Sequence, residues 1–103
     1  MNIIVLITAK DNSEAEKIAR SLIEQKLIAC ANIVPGVKSF FRWEGKADNA
    51  NEVLLILKTK KNLFKRVEKA VKALHSYEVP EIIALPIIEG HRPYLKWVNE
   101  STK

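Results

Sequence analysis

The sequence has few of the residues that build disulfide frameworks and metal centres. Its 103 residues include one cysteine and two histidines. A single cysteine excludes an internal disulfide, and no CxxC pair or Cys/His cluster has the spacing of a structural zinc site. We therefore expect one domain, residues 1–103, in the reducing environment of the cytoplasm.

Long apolar runs are also lacking. The N-terminal MNIIVLITAK has no basic n-region, and its apolar run is too short to span a bilayer. Aromatic residues make up 7% of the chain, and none lies in IIVLI or VLLIL, two central strand segments. RNA-binding sheets of this type stack bases on aromatic residues at those strands. We therefore predict no membrane and no nucleic-acid partner.

Charge of one sign is in moderate excess. The net charge is +5 and the pI is about 9.4, which raises the question of an acidic partner. The basic residues are interspersed rather than gathered in a block, an arrangement typical of a solvated face.

Hydrophobic periodicity predicts seven elements. SEAE (13–16) has the pattern of a capping box in which Ser13 caps a helix that runs to about Lys26. Segment 45–51, GKADNAN, has the composition of a loop. Pro35-Gly36 predicts a kink within the second strand. The predicted elements are strand 2–9, helix 13–26, an extended run 27–43, strand 52–59, helix 60–75, strand 79–88 and a short helix from Pro93.

This order predicts an α+β, ferredoxin-like split βαβ sandwich with a long β2–β3 hairpin and an extra C-terminal helix. The strands do not alternate, because Ile4 and Leu6 oppose Val5 and Ile7 on the first of them. With two helices on one face, the other face would expose a larger apolar patch than monomers usually show. We therefore predict that other copies of the sheet cover it.

The second strand is too long for its own domain. Seventeen extended residues would span about 55 Å, whereas a domain of this size has a radius of gyration of about 13 Å. We predict that the hairpin overhangs and that Phe40, Phe41 and Trp43 pack on a neighbouring subunit. The alternative is that the kink folds the strand back on its own core.

Three residues are candidates for chemistry. For Cys30 the sequence favours a role as a buried packing residue, followed by a role as a metal ligand. A role as a nucleophile with His75 as its base is the least favoured. His75 reads as a structural group at a helix end or as part of a metal or ligand site in HSYE. His91 reads as a helix cap.

Two long blocks, CANIVPGVKSFFRWEGK and ALHSYEVPEIIALPI, followed by YLKWVNES, resemble the CutA family of divalent-cation tolerance proteins. The resemblance covers essentially the whole chain. It implies a homotrimer with strand edges paired between subunits, a role in tolerance of copper and other divalent ions, and no enzymatic activity. The chain is therefore expected to have itself as partner and Cu(II) or another divalent cation as a weakly bound ligand.

The resemblance also implies where a metal would bind. In some bacterial members of the family a copper site is attributed to a first-strand cysteine and a His-His pair, where this chain has Ile7 and Leu74-His75. His75 is carried over as a metal ligand, with Cys30 as a second candidate. The alternatives are a trimer like the PII signalling proteins, which senses a small ligand in clefts between subunits, and a purely structural interaction module.

Overall fold

The computed structural model describes residues 1–103. In chain order its elements are β1 (Asn2–Ala9), α1 (Asn12–Glu24), β2 (Cys30–Trp43), β3 (Lys46–Lys60), a 3₁₀ turn (Lys61–Leu63), α2 (Phe64–Leu74), β4 (Ile82–Pro86) and α3 (Arg92–Glu100). The strands form one antiparallel sheet in the order β2-β3-β1-β4. The predicted split βαβ fold with a long hairpin and a C-terminal helix is confirmed. No helix is long and apolar enough to cross a membrane.

The core lies between the sheet and the first two helices. Alternate residues of β1 and β3, such as Ile7 and Leu55, are fully buried and pack with α1 and α2 through residues such as Ile18 and Val67. Each fully buried side chain of this size contributes about 1.5–3 kcal/mol relative to leaving it exposed. This packing fixes the face of the sheet that points towards α1 and α2.

The opposite face of the sheet, called the open face below, is only partly covered. α3 lies against it at one end, where the Nδ2 of Asn2 donates to the carbonyl of Leu95 at 3.3 Å and Val98 is fully buried. Farther along, Ile83 and Leu85 of β4 remain 50% and 48% exposed. The two-sided apolar strands therefore leave an uncovered apolar surface within a single chain.

The β2–β3 hairpin has a tighter turn than the sequence predicted. Glu44 and Gly45 are its two turn residues, with φ of 50° and 79°, and positive φ at both positions is what a type I′ turn requires. β3 begins directly afterwards at Lys46, so the predicted loop at 45–51 is wrong. These polar residues form a strand because they pair with β2 along their whole length, and this pairing overrides their weak β propensity.

A bulge at Pro35-Gly36 bends β2, as predicted. Val34 pairs with Leu54 and Val37 with Glu52, so two residues of β2 face one of β3. Gly36 has a φ of 75°, which glycine adopts without steric cost. The bulge does not fold the hairpin back, because the chain measures 44 Å in its longest dimension against 23 Å in its shortest.

Other element boundaries differ from the predicted ones by a few residues. β2 begins at Cys30 rather than at 27, and β4 covers Ile82–Pro86 rather than 79–88. Helix 60–75 divides into the 3₁₀ turn and α2. Pro80 explains the shorter β4, because proline removes a donor from a strand ladder.

The cap of α1 differs from the predicted one. Asp11, not Ser13, is the N-cap, and its Oδ1 accepts from the backbone N–H of Glu14 at 2.8 Å. The Glu14 side chain reaches back and accepts from the N–H of Lys10 at 3.1 Å. This reciprocal pair resembles a capping box placed two residues earlier than SEAE.

Replacing the cap should test this assignment. We expect Asp11→Ala to lower the free energy of unfolding by about 0.5–2 kcal/mol, because it removes the partner of an orphan N–H at the helix start. Ser13→Ala is the matched control and should change stability by less than about 0.5 kcal/mol. Urea unfolding measures both variants. A larger loss for Ser13→Ala would contradict the assignment.

Candidate functional site

Cys30 and His75 are not brought together within one chain. Cys30 pairs with Lys58 on β3, whereas the His75 ring contacts Thr8 of β1, which pairs with Leu54. The four residues from 54 to 58 along β3 correspond to about 13 Å. The two side chains therefore form neither a Cys–His catalytic pair nor a joint metal site in a single chain.

Both ring nitrogens of His75 are hydrogen bonded. Nε2 lies 2.8 Å from the carbonyl oxygen of Thr8, and because a carbonyl only accepts, Nε2 carries the proton. Nδ1 accepts from the backbone N–H of Tyr77 at 3.0 Å. The neutral imidazole thus attaches the end of α2 to β1. A metal ion at Nδ1 would have to displace the Tyr77 N–H.

Glu14 connects the segment that follows α2 to α1. The residue is buried, and its two carboxylate oxygens accept from the backbone N–H groups of Lys10 and Ser76, at 3.1 and 2.7 Å. Burial by itself would raise the pKa of Glu14, but hydrogen bonds from Ser76 and Lys10 outweigh it and hold the pKa below its usual value. The carboxylate is therefore a structural anion.

Tyr77 continues the network to the hairpin. Its hydroxyl donates to Oε2 of Glu52 at 2.7 Å, and its ring packs on His75 with centroids 4.7 Å apart. Burial, followed by the hydrogen bond and charge of Glu52, raises the pKa of Tyr77 to about 12, so the hydroxyl keeps its proton. Glu52 is only 9% exposed, and no cation lies within 4 Å of its carboxylate.

A groove of about 860 Å³ lies between the hairpin and residues 77–81 and is called the carboxylate groove below. Four acidic side chains and one cation, Arg42, line it, giving −3 on a chain of net +5. The same groove contains Phe40, Phe41 and Trp43, which are 75%, 41% and 51% exposed. The four acidic residues are Asp48, Glu52, Glu78 and Glu81.

The groove is not a preformed coordination shell. No three His, Cys, Asp or Glu side chains lie close enough together to hold a metal ion anywhere in the chain. Divalent cations are held by several converging ligands. A single chain therefore offers separated donors, and the assignment of His75 and Cys30 as metal ligands stays a prediction.

Cys30 is not buried, contrary to the packing role favoured from the sequence. It lies at the outer edge of the sheet, partly exposed, with Sγ 3.8 Å from Oδ1 of Asn32. Asn32 also accepts from Nζ of Lys58. Burial and the adjacent Cys30 thiol raise the pKa of Tyr94 on α3. The difference arises because β2 is an edge strand, so this side of it has no neighbouring strand in the chain.

His91 differs from its predicted role too. It occupies the N-cap position of α3, but its side chain makes no capping hydrogen bond. The sequence did not reveal the roles of Glu14 and Glu52. Glu14 accepts a hydrogen bond from Ser76, 62 residues away, and Glu52 accepts one from Tyr77, 25 residues away. No spacing pattern relates residues that are so far apart. The only local signal is a charged residue directly before the buried run VLLIL.

The Glu14 contact predicts a pH dependence of stability. Because the pKa of Glu14 is lower in the folded chain than the ordinary 4.5, the carboxylate stabilises the fold above that pH. This stabilisation should be lost as the pH falls through the folded-state value. Glu14→Gln removes the charge, so the stability gap between variant and parent should close in acid. Chemical unfolding across pH 2–7 measures it, with Glu16→Gln, an exposed acid of the same helix, as control. A gap that does not change with pH would contradict the assignment.

Comparison with known proteins agrees with this geometry. Residues 3–101 match the family model of the CutA1 divalent ion tolerance protein. The chain is 49% identical over 102 residues to the "Divalent-cation tolerance protein CutA" of Thermus thermophilus, covering 99% of both chains. It is 44% identical to "Protein CutA, chloroplastic" of Arabidopsis thaliana, of which it covers 56%.

Solved structures are equally similar. The structure of the Thermus thermophilus CutA1 superposes with a TM-score of 0.98 at 48% identity, and that of the Archaeoglobus fulgidus CutA with 0.97 at 47%, each over the whole of both chains. These matches extend across the hairpin, the groove and α3. The chain therefore belongs to the CutA1 family of divalent ion tolerance proteins.

Proposed function

We propose that the chain acts in divalent-cation tolerance as a cytoplasmic homotrimer that binds the cation weakly, with Cu(II) as the first candidate. Family membership supports the tolerance role, because relatives carry that name. The observation that carries the assembly is the hairpin arm: it is exposed, aromatic and unpaired along one edge. The chain is not proposed to be an enzyme, because Cys30 and the half-buried His75 do not meet.

The unpaired edge follows from the strand lengths. β1 ends opposite Val53, so the part of β3 from Lys46 to Glu52 has β2 on one side and no strand on the other. Its free N–H and C=O groups are a template for another strand. β4 and β2 also have free outer edges. Pairing such edges between copies would satisfy both and bring the aromatic arm onto a neighbour.

The apolar surfaces support the same arrangement. Trp43 and Phe41 on the arm, and Ile83 and Leu85 on the open face, are exposed in the single chain. Aromatic residues of this kind are enriched in the buried centres of interfaces. A closed ring of three copies, the assembly implied by the resemblance, would cover them without leaving an open end for further growth.

Weak metal binding is consistent with the donors. His75 offers one lone pair, at Nδ1, and this lone pair already accepts from Tyr77. Glu78 follows it in the same segment and lines the carboxylate groove, whereas Cys30 lies at the other end of the sheet. A neighbouring copy docked on the arm would have to add ligands. The proposal is therefore a site that is complete only in the assembly.

A second candidate is small-ligand sensing. The carboxylate groove, at about 860 Å³, falls within the usual range of 300–1,000 Å³ for small-molecule sites. It combines apolar and charged walls, as such sites do. A small molecule that copurifies with the protein would favour this function, and a stable trimer that holds neither metal nor ligand would favour a structural module.

Trp43 tests the assembly. We expect Trp43→Ala to weaken association by about 2 kcal/mol or more per contact, because it removes a large aromatic anchor from the interface. Sedimentation velocity over a dilution series would show dissociation at higher protein concentration than the parent. Trp43→Phe is the matched control and should keep most of the association. An oligomer and a melting temperature unchanged in Trp43→Ala would refute this role.

His75 tests the metal site. Native mass spectrometry with added Cu(II) should show a trimer that gains about three copper ions, one for each single-histidine site. His75→Ala should lose them while it stays trimeric, whereas the exposed His91→Ala is the matched control and should keep them. Copper binding retained by the His75→Ala variant would show that the copper site does not include His75. A trimer that takes up no copper would turn the function towards ligand sensing or scaffolding.

A further inference from the structure

The solvent-facing side of α2 gathers much of the chain's positive charge. Five basic residues lie between positions 61 and 72 with one acid, Glu68, so these twelve residues have a net charge of +4 in a chain of +5. All five are exposed. They are Lys61, in the 3₁₀ turn that precedes α2, and Lys65, Arg66, Lys69 and Lys72 on α2 itself; the five are called the basic ridge below. The expectation that the basic residues are not gathered in a block is wrong for residues 61–72, whereas their exposure agrees with the expected solvated face.

The packing of α2 on the core keeps the basic ridge exposed to solvent. Val67 and Val71 on the opposite side of α2 are fully buried in the core. At 100° per residue, Lys65, Lys69 and Lys72 fall within about 60° of one another, on a side of the helix centred about 150° from those valines. Lys65 and Lys72 are about 10 Å apart along the axis. The helix cannot rotate to hide these charges without exposing the core.

Helix stability accounts for Lys72, which lies in the last turn where the dipole favours positive charge, but not for the basic residues at the start of the helix. Lys65 and Arg66 lie in the first turn, which has no acidic residue and no side-chain cap. Positive charge is unfavourable there, because the start of a helix is itself partly positive. One ion pair, Lys65 to Glu68 at 3.6 Å, neutralises part of the row. The neighbouring α1 instead pairs Arg20 with Glu16. An anion on the ridge would relieve both the repulsion and the dipole.

The chemistry of the ridge distinguishes between anionic partners. It has no exposed aromatic residue on which unpaired bases could stack, which argues against single strands. The apolar side of α2 is packed in the core, so the helix cannot insert into a bilayer and would have only the electrostatic attraction to anionic lipids, about 1 kcal/mol per basic residue, without buried apolar area. A row of lysines suits closely spaced phosphates contacted without reading sequence.

We propose that the basic ridge on α2 binds the phosphate backbone of double-stranded nucleic acid without sequence specificity. This departs from the expectation of no nucleic-acid partner, which rested on the lack of base-stacking aromatic residues on the strands; the ridge lies on a helix and reads no bases. It does not rest on the metal or assembly proposals, because the charged side of α2 faces solvent on the side of the sheet opposite the open face, although the C-cap of the helix, His75, lies beside the segment that lines the groove.

The test compares two charge-matched variants of the full-length protein. The ridge variant is Lys65→Gln, Lys69→Gln and Lys72→Gln; the control variant is Lys17→Gln, Lys96→Gln and Lys103→Gln, at exposed positions outside the ridge. Both lose the same net charge, and glutamine is a good helix former. Circular dichroism and native mass spectrometry check that both fold and assemble like the parent.

Fluorescence anisotropy with a labelled DNA duplex of about 20 base pairs is measured at several salt concentrations from about 50 mM upwards. The parent should bind in the micromolar to 100 µM range, as is typical of contacts with phosphates alone. The slope of log K against log salt should fall by about 2.7 in the ridge variant, since three phosphate contacts are lost. The control variant should keep the parent slope, and two unrelated duplex sequences should bind equally.

Three results would overturn the proposal. The first is no binding by the parent at about 50 mM salt, where such contacts are strongest. The second is an equal loss in both variants, which would mean that net charge alone is responsible. The third is stronger ridge-dependent binding to phosphatidylserine vesicles than to the duplex, which would assign the ridge to a membrane surface.

Discussion

The unequal lengths of two paired strands determine most of this molecule. β3 has 15 residues and β1 has 8, so β3 continues past its partner and has β2 alone beside it. The backbone groups on its free side are left to water or to another strand. From this one mismatch follow the exposed aromatic arm, the template edge for another copy and the carboxylate groove. An ordinary hairpin that ended at Val53 would have none of them.

A small polar network keeps the groove in place. Segment 75–81, which forms one wall, has little regular structure and few buried apolar residues. It is fixed instead by His75 on β1, Glu14 on α1 and Tyr77 on Glu52. Partly buried hydrogen bonds of this kind are costly to leave unmade, so the loop has one favourable position. Both ring nitrogens of His75, the predicted metal ligand, are engaged in the hydrogen bonds that fix this wall of the groove.

The sequence was sufficient for the fold because its main signals are local. Periodicity and strand order predicted the split βαβ sheet, and two-sided apolar strands such as Ile3–Ile7 predicted an uncovered face. The sequence-based prediction failed where contacts between residues far apart in the chain determine the structure. The strand at 46–51 exists through pairing with β2, and the exposure of Cys30 depends on which strand lies at the sheet edge. The Glu14–Ser76 contact joins residues 62 positions apart, which no spacing rule detects.

Net charge was a poor guide to partners because the charges are segregated. Residues 61–72, which contain the basic ridge and Glu68, have a net charge of +4, whereas the carboxylate groove has −3. The ridge lies in the helix layer, and the groove lies beside the hairpin. In salt of about 0.15 M the Debye length is about 8 Å, so a ligand at one site is governed by that site's charges. A cation and a polyanion can therefore each find a favourable local surface. The net charge of +5 describes neither surface.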